Sequence, residues 1–124
     1  MAADAYLKQR MVYQDISGNL HTLAGTTTTT LVTNAKTTEQ IFIQKIHIEI
    51  TTGAAQTWSF QDSTPTDIVP AVSVAAIAHF DFDFGPLGVP CALAKNFVLT
   101  ISAAGAVGWA SWEGYQKRTA VGVP

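Results

Sequence analysis

Three groups of residues carry side chains able to do chemistry. The first is His79, Asp81 and Asp83 in the segment HFDFDF. Alternate residues of an extended strand project to one face, so an imidazole and two carboxylates would stand side by side. Those are the ligand types of zinc and calcium sites. Parallel side chains about 6.8 Å apart per step converge poorly on one ion without a further ligand from a neighbouring strand. A solvated strand face whose charges discourage edge-to-edge association explains the pattern more simply, and no metal ligand is assigned. The second group is His47 and Glu49, beside Lys45. An imidazole next to a carboxylate can do general acid–base work. The sequence has neither a Gly-x-Ser-x-Gly elbow nor a phosphate-binding glycine loop to go with them. An outward polar face is expected, and no catalytic residue or cofactor is assigned. His21 stands alone and receives no role.

The third group is aromatic: Trp109, Trp112 and Tyr115. On an extended strand Trp109 and Tyr115 share one parity and Trp112 has the other. One parity faces the core, so the other presents large aromatics to solvent or to a second layer. Exposed, they could anchor a subunit interface or stack on sugar rings. These three are the candidate interface or ligand residues. Gly114 between them suggests close backbone approach. Cys91, the one cysteine, leaves no intrachain disulfide. With no local base or partner cysteine, it reads as a small buried hydrophobe.

The elements that must position these groups are strands. The longest β-branched and aromatic run is IFIQKIHIEI, residues 41–50, and it alternates with period two. Its phase changes midway: Ile41 and Ile43 share one parity, and Ile46, Ile48 and Ile50 the other. A β-bulge near Gln44 and Lys45, or a strand leaving one sheet for another, explains the slip. This is the expected central strand. Before it, residues 11–15 and 20–23 flank Ser-Gly-Asn and predict a hairpin. Five threonines at 26–30 run into Leu31 and Val32 and predict an edge strand. After it come 56–62, with Trp58 and Phe60 on one face, and 68–72, an edge piece or link because of Pro70. Residues 73–84 follow, with Phe80, Phe82 and Phe84 inward, then a long turn at 85–90. Residues 97–103 place Phe97, Leu99 and Ile101 inward, 104–106 read as a hairpin turn, and 107–115 as the closing strand. Residues 1–10 form an arm and 116–124 a tail. About eight short strands with turns between them predict an all-β antiparallel sandwich of jelly-roll type, in one domain.

Composition narrows the function. Charged residues are 13% of 124, about half the usual ~25%. A surface of Thr, Ser, Ala and Gly is neutral and tends to associate. The formal charge is −2 with seven Lys+Arg, and no basic patch supports nucleic-acid binding. No apolar run is long enough to span a membrane. Residues 1–10 lack the apolar core of a signal peptide, so synthesis in a reducing cytoplasm is expected.

The segments Ile-Phe-Ile-Gln-Lys-Ile-His-Ile, Thr-Trp-Ser-Phe-Gln-Asp, Asp-Phe-Gly-Pro-Leu-Gly-Val-Pro, Asn-Phe-Val-Leu-Thr-Ile-Ser and the final Glu-Gly-Tyr, over residues 41–115, together resemble small phage virion structural proteins. Those are β-sandwich decoration (cement) proteins, head fibres and minor tail components. The resemblance implies a homo-oligomer, with a trimer favoured, attached to the major capsid protein at the capsid surface. It implies no catalytic residue. The arm and tail lie outside it and by analogy clasp neighbouring subunits. The alternative is a carbohydrate- or receptor-binding module on a tail or spike, which needs Trp109 or Trp112 exposed among polar groups. An enzyme built on a metal at His79, Asp81 and Asp83 is a third, weaker alternative.

Overall fold

The computed structural model describes residues 13–21, 28–103 and 105–119. The expected arm, the tail beyond 119 and the start of the threonine run lie outside them. Nine strands and no helix are formed among the described residues: β1 (Tyr13–His21), β2 (Thr28–Val32), β3 (Glu39–Thr52), β4 (Thr57–Asp62), β5 (Asp67–Ser73), β6 (Ala78–Asp83), β7 (Val89–Pro90), β8 (Phe97–Ile101) and β9 (Val107–Arg118). The larger sheet has the order β1-β9-β3-β6, with β7 also on β3. The smaller has β2-β8-β4-β5.

The pairings have a simple logic. β1 pairs with β9, β2 with β8, β3 with β6, and β4 with β5, all antiparallel. The chain is therefore one long two-stranded ribbon with the β4–β5 turn at its tip. Folding that ribbon over itself sets β9 against β3 and β8 against β4, which closes two facing sheets. This is the jelly roll that strand spacing predicted.

β3 lies at the centre and its phase slip is a bulge. The register with β9 shifts between Ile43 and Lys45, so Gln44 is the extra residue. All five isoleucines of the run consequently point inward, each 2% exposed or less. Without the bulge two of them would face water. Gly114 lies opposite this bulge. A Cβ there would stand 2.0 Å from the Phe42 carbonyl oxygen, the close approach expected of it. Trp58, Phe60, Phe97, Leu99 and Ile101 of the smaller sheet complete the core. β2 and β5 are edge strands, as the threonine run and Pro70 suggested.

Five expectations are corrected. Residues 13–21 are one continuous strand, not the two arms and turn of a hairpin. Gly18 serves a different purpose from a turn: a Cβ at that position would lie 2.5 Å from the Trp112 ring, so its absence seats the indole. The hairpin expected between β8 and β9 is not formed, because the two strands belong to different sheets. β9 is internal rather than closing, held between β1 and β3. It also runs on to Arg118, into the expected tail. Gln116 is buried there because its side-chain amide donates to Asn34 Oδ1 (3.1 Å) and Glu39 Oε1 (3.0 Å). Similarly, the segment 73–84 is not one strand: 74–77 carry the chain from the smaller sheet to the larger.

Candidate functional site

The bulge in β3 fixes which side chains leave the core. Lys45, His47 and Glu49 alternate with buried isoleucines and project from the outer face of the larger sheet. Register then builds rows across it. Asn19, Ser111, His47 and Asp81 are successive cross-strand partners on β1, β9, β3 and β6. Ser17, Glu113, Lys45 and Asp83 form a second such row, and Trp109, Glu49 and His79 lie in a third. The first two rows border an open groove of about 510 Å3 that crosses all four strands. Its centre is the row of Gly18, Trp112, Ile46 and Phe82. Sequence reasoning found His47 and Asp81 separately but missed Ser17, Asn19 and Ser111. Nothing in a lone serine or asparagine marks it until register brings it beside a histidine.

Basic and acidic residue types face each other across β3 and β6, in the pairs Lys45 with Asp83, His47 with Asp81 and His79 with Glu49. His47 Nδ1 is hydrogen-bonded to Asp81, and its Nε2 lies 3.4 Å from Glu49. The Asp81 hydrogen bond is the main reason the imidazole titrates above its ordinary 6.5; partial burial opposes it, and the charges of Asp81 and Glu49 assist. Lys45 Nζ lies 3.7 Å from Glu113 on the other side. Asp83 accepts the Gly85 N–H at 2.9 Å. His79, Asp81 and Asp83 are all exposed. Each carboxylate thus has its own partner, and no three His, Cys, Asp or Glu side chains converge as a metal cage among the described residues.

The structure separates the three aromatics. Trp112 is in the core, 7% exposed, edge-on to Phe97 at 6.0 Å. Its indole N–H has no acceptor among the described residues. Tyr115 projects from the outer face yet is buried. Its ring stacks on Phe42 at 4.9 Å, Lys117 lies over both rings, and its hydroxyl donates to the Leu87 carbonyl at 2.6 Å. Only Trp109 remains half-exposed, tilted against His47 with ring centres 5.1 Å apart. Cys91 is fully buried and its thiol is pushed up to about 12 by burial and by the nearby Asp62 charge. That makes it the small hydrophobe expected of it.

One polar residue went unnoticed in the sequence. Asp62 ends β4 with 3% of its surface exposed. It accepts the backbone N–H groups of Thr64, Thr66 and Ala92, each at 2.9 Å, and the Thr64 hydroxyl. One carboxylate therefore ties the 63–66 loop to the 91–96 connection. The run Asp-Ser-Thr is an Asx-turn pattern and could have announced it.

No protein-family model and no curated protein matches the sequence. Among solved structures, the chain is similar to a protein of Bacillus endospore appendages, described as disulfide-linked pili, at 15% identity and TM-score 0.44 over 89% of this chain and 88% of that one. It is also similar to the particle of the extra small virus of the prawn Macrobrachium rosenbergii, at 13% identity and TM-score 0.38 over 83% and 80%. A third likeness is to the Tobacco streak virus coat protein dimer, at 10% identity and TM-score 0.35 over 90% and 89%. The fold rests on the strand order itself, and likenesses this distant assign no activity.

Proposed function

We propose that the chain is a virion structural protein, most specifically a capsid decoration protein that self-associates on the major capsid protein and adds contacts between capsomers. The observation that carries this reading is the contrast between the two flanks of the sandwich. The β5 and β6 edges are defended against strand pairing, by Pro70 and Asp67 on one and by Asp81, Asp83 and His79 on the other. The β1 and β2 edges flank the side where β8 packs on β9 through Phe97 and Trp112. β2 carries no charged residue, and Asp15 is the one carboxylate on β1. Two edges unpaired among the described residues, with one carboxylate between them on a weakly charged chain, suit burial against copies of itself, or against a shell, at little desolvation cost.

Sedimentation of the full chain, alone and with purified capsid shells, tests the proposal. A homo-oligomer, with a trimer favoured, that co-sediments with shells supports it. A stable monomer with no affinity for any shell would overturn it.

A further inference from the structure

We propose that the open groove on the outer face of the larger sheet binds a neutral, hydroxyl-rich ligand, a saccharide chain lying over Asn19, Ser111 and His47. The inference rests on the groove alone and holds whether or not the chain assembles on a shell.

At about 510 Å3 the groove falls in the range of small-ligand sites. Its charged groups are already engaged within the chain: Lys45 with Glu113, Asp81 with His47, and Asp83 with the Gly85 N–H. An anionic ligand would find the one lysine of the lining already paired with Glu113. Three carboxylates to one lysine in the lining also repel phosphate and sulfate. What remains free is uncharged. Ser17, Asn19 and Ser111 line the groove and make no side-chain hydrogen bond among the described residues. Hydroxyls and a carboxamide both donate and accept, which matches the hydroxyls of a sugar. Two residues along β9 from Ser111, half-exposed Trp109 supplies an aromatic surface for the apolar face of a sugar ring. His47 is held in place by Asp81 and Glu49, so part of the lining is ordered before a ligand arrives.

The test is amide-resolved NMR on the isotope-labelled full chain, titrated in turn with maltotetraose, cellotetraose and chitotetraose, and with a sulfated heparin tetrasaccharide. At least one neutral sugar is expected to shift Asn19, Ser111, His47 and the Trp109 indole N–H saturably, with no matching response to heparin. Ser111→Trp fills the groove and Asn19→Ala removes its carboxamide; each is expected to weaken binding roughly tenfold or more, the rest of the spectrum reporting an intact fold. If Ser111→Trp does not fold, Asn19→Ala decides. No response to any neutral sugar, shifts confined to other surfaces, heparin binding as well as the neutral sugars, or unchanged binding by the variants would each overturn the proposal.

Discussion

At the residue scale, two side chains carry effects out of proportion to their number. The Asp62 carboxylate is nearly fully buried and takes four hydrogen bonds from two loops. Replacing it by Ala strands three backbone donors, so Asp62→Ala is expected to cost about 2–4 kcal/mol, read from denaturant unfolding. Burial alone would raise its pKa. The hydrogen bonds from Thr64, Ala92 and Thr66 outweigh that, and the net shift is downward. Its folded-state pKa lies below the unfolded value, so its contribution is present above the unfolded value and lost as pH falls through the folded one. Acid melting should therefore be less steep in Asp62→Ala than in the parent chain. His47 has the opposite sign. Its folded pKa is raised, so its contribution is full below 6.5 and disappears as pH rises through the folded value. The imidazole resonances of His47 should titrate above 6.5, and Asp81→Asn should bring the midpoint down.

At the scale of elements, the bulge in β3 decides what the larger sheet shows to each side. Deleting Gln44 removes the extra residue and restores strict alternation. Either Ile41 and Ile43 or the three later isoleucines must then face water. Exposing just two isoleucines costs about 3–6 kcal/mol, comparable to the whole stability of a typical small domain. The Gln44 deletion is expected to fail to fold, or to melt far below the parent by circular dichroism. Parent-like melting would mean that the bulge is not what orients β3. This element was legible in sequence because a phase slip inside one hydrophobic run is a local signal. The hairpin misread at 13–21 had the opposite cause. Ser-Gly-Asn is turn chemistry read locally, but Gly18 answers to Trp112, far away in sequence.

For the whole molecule, the asymmetry of the flanks predicts how association can be broken. A charge or a ring placed on the β2 edge, unpaired among the described residues, should act where the same change elsewhere does not. Thr30→Lys or Thr29→Pro is expected to shift the chain toward monomer in sedimentation while the circular dichroism stays that of the parent sandwich. Comparable charges on the β5 edge, already protected by Pro70, should change little. Because the β2 edge is uncharged, the association should also depend only weakly on salt. A strongly salt-sensitive oligomer would point to a charged face instead.

The amino-acid sequence by itself determined that the chain forms strands, which residues of β3, β4, β6 and β8 share the inward face, and where β3 changes phase. These follow from side-chain periodicity and branching, which act over a few residues. Tertiary structure alone decided which strands are neighbours. It turned 107–118 into an internal strand, buried Tyr115 beneath the Leu87 loop and brought Asn19, Ser111, His47 and Asp81 into one row. Strand order in a wound ribbon depends on contacts between segments tens of residues apart, and no local pattern encodes them.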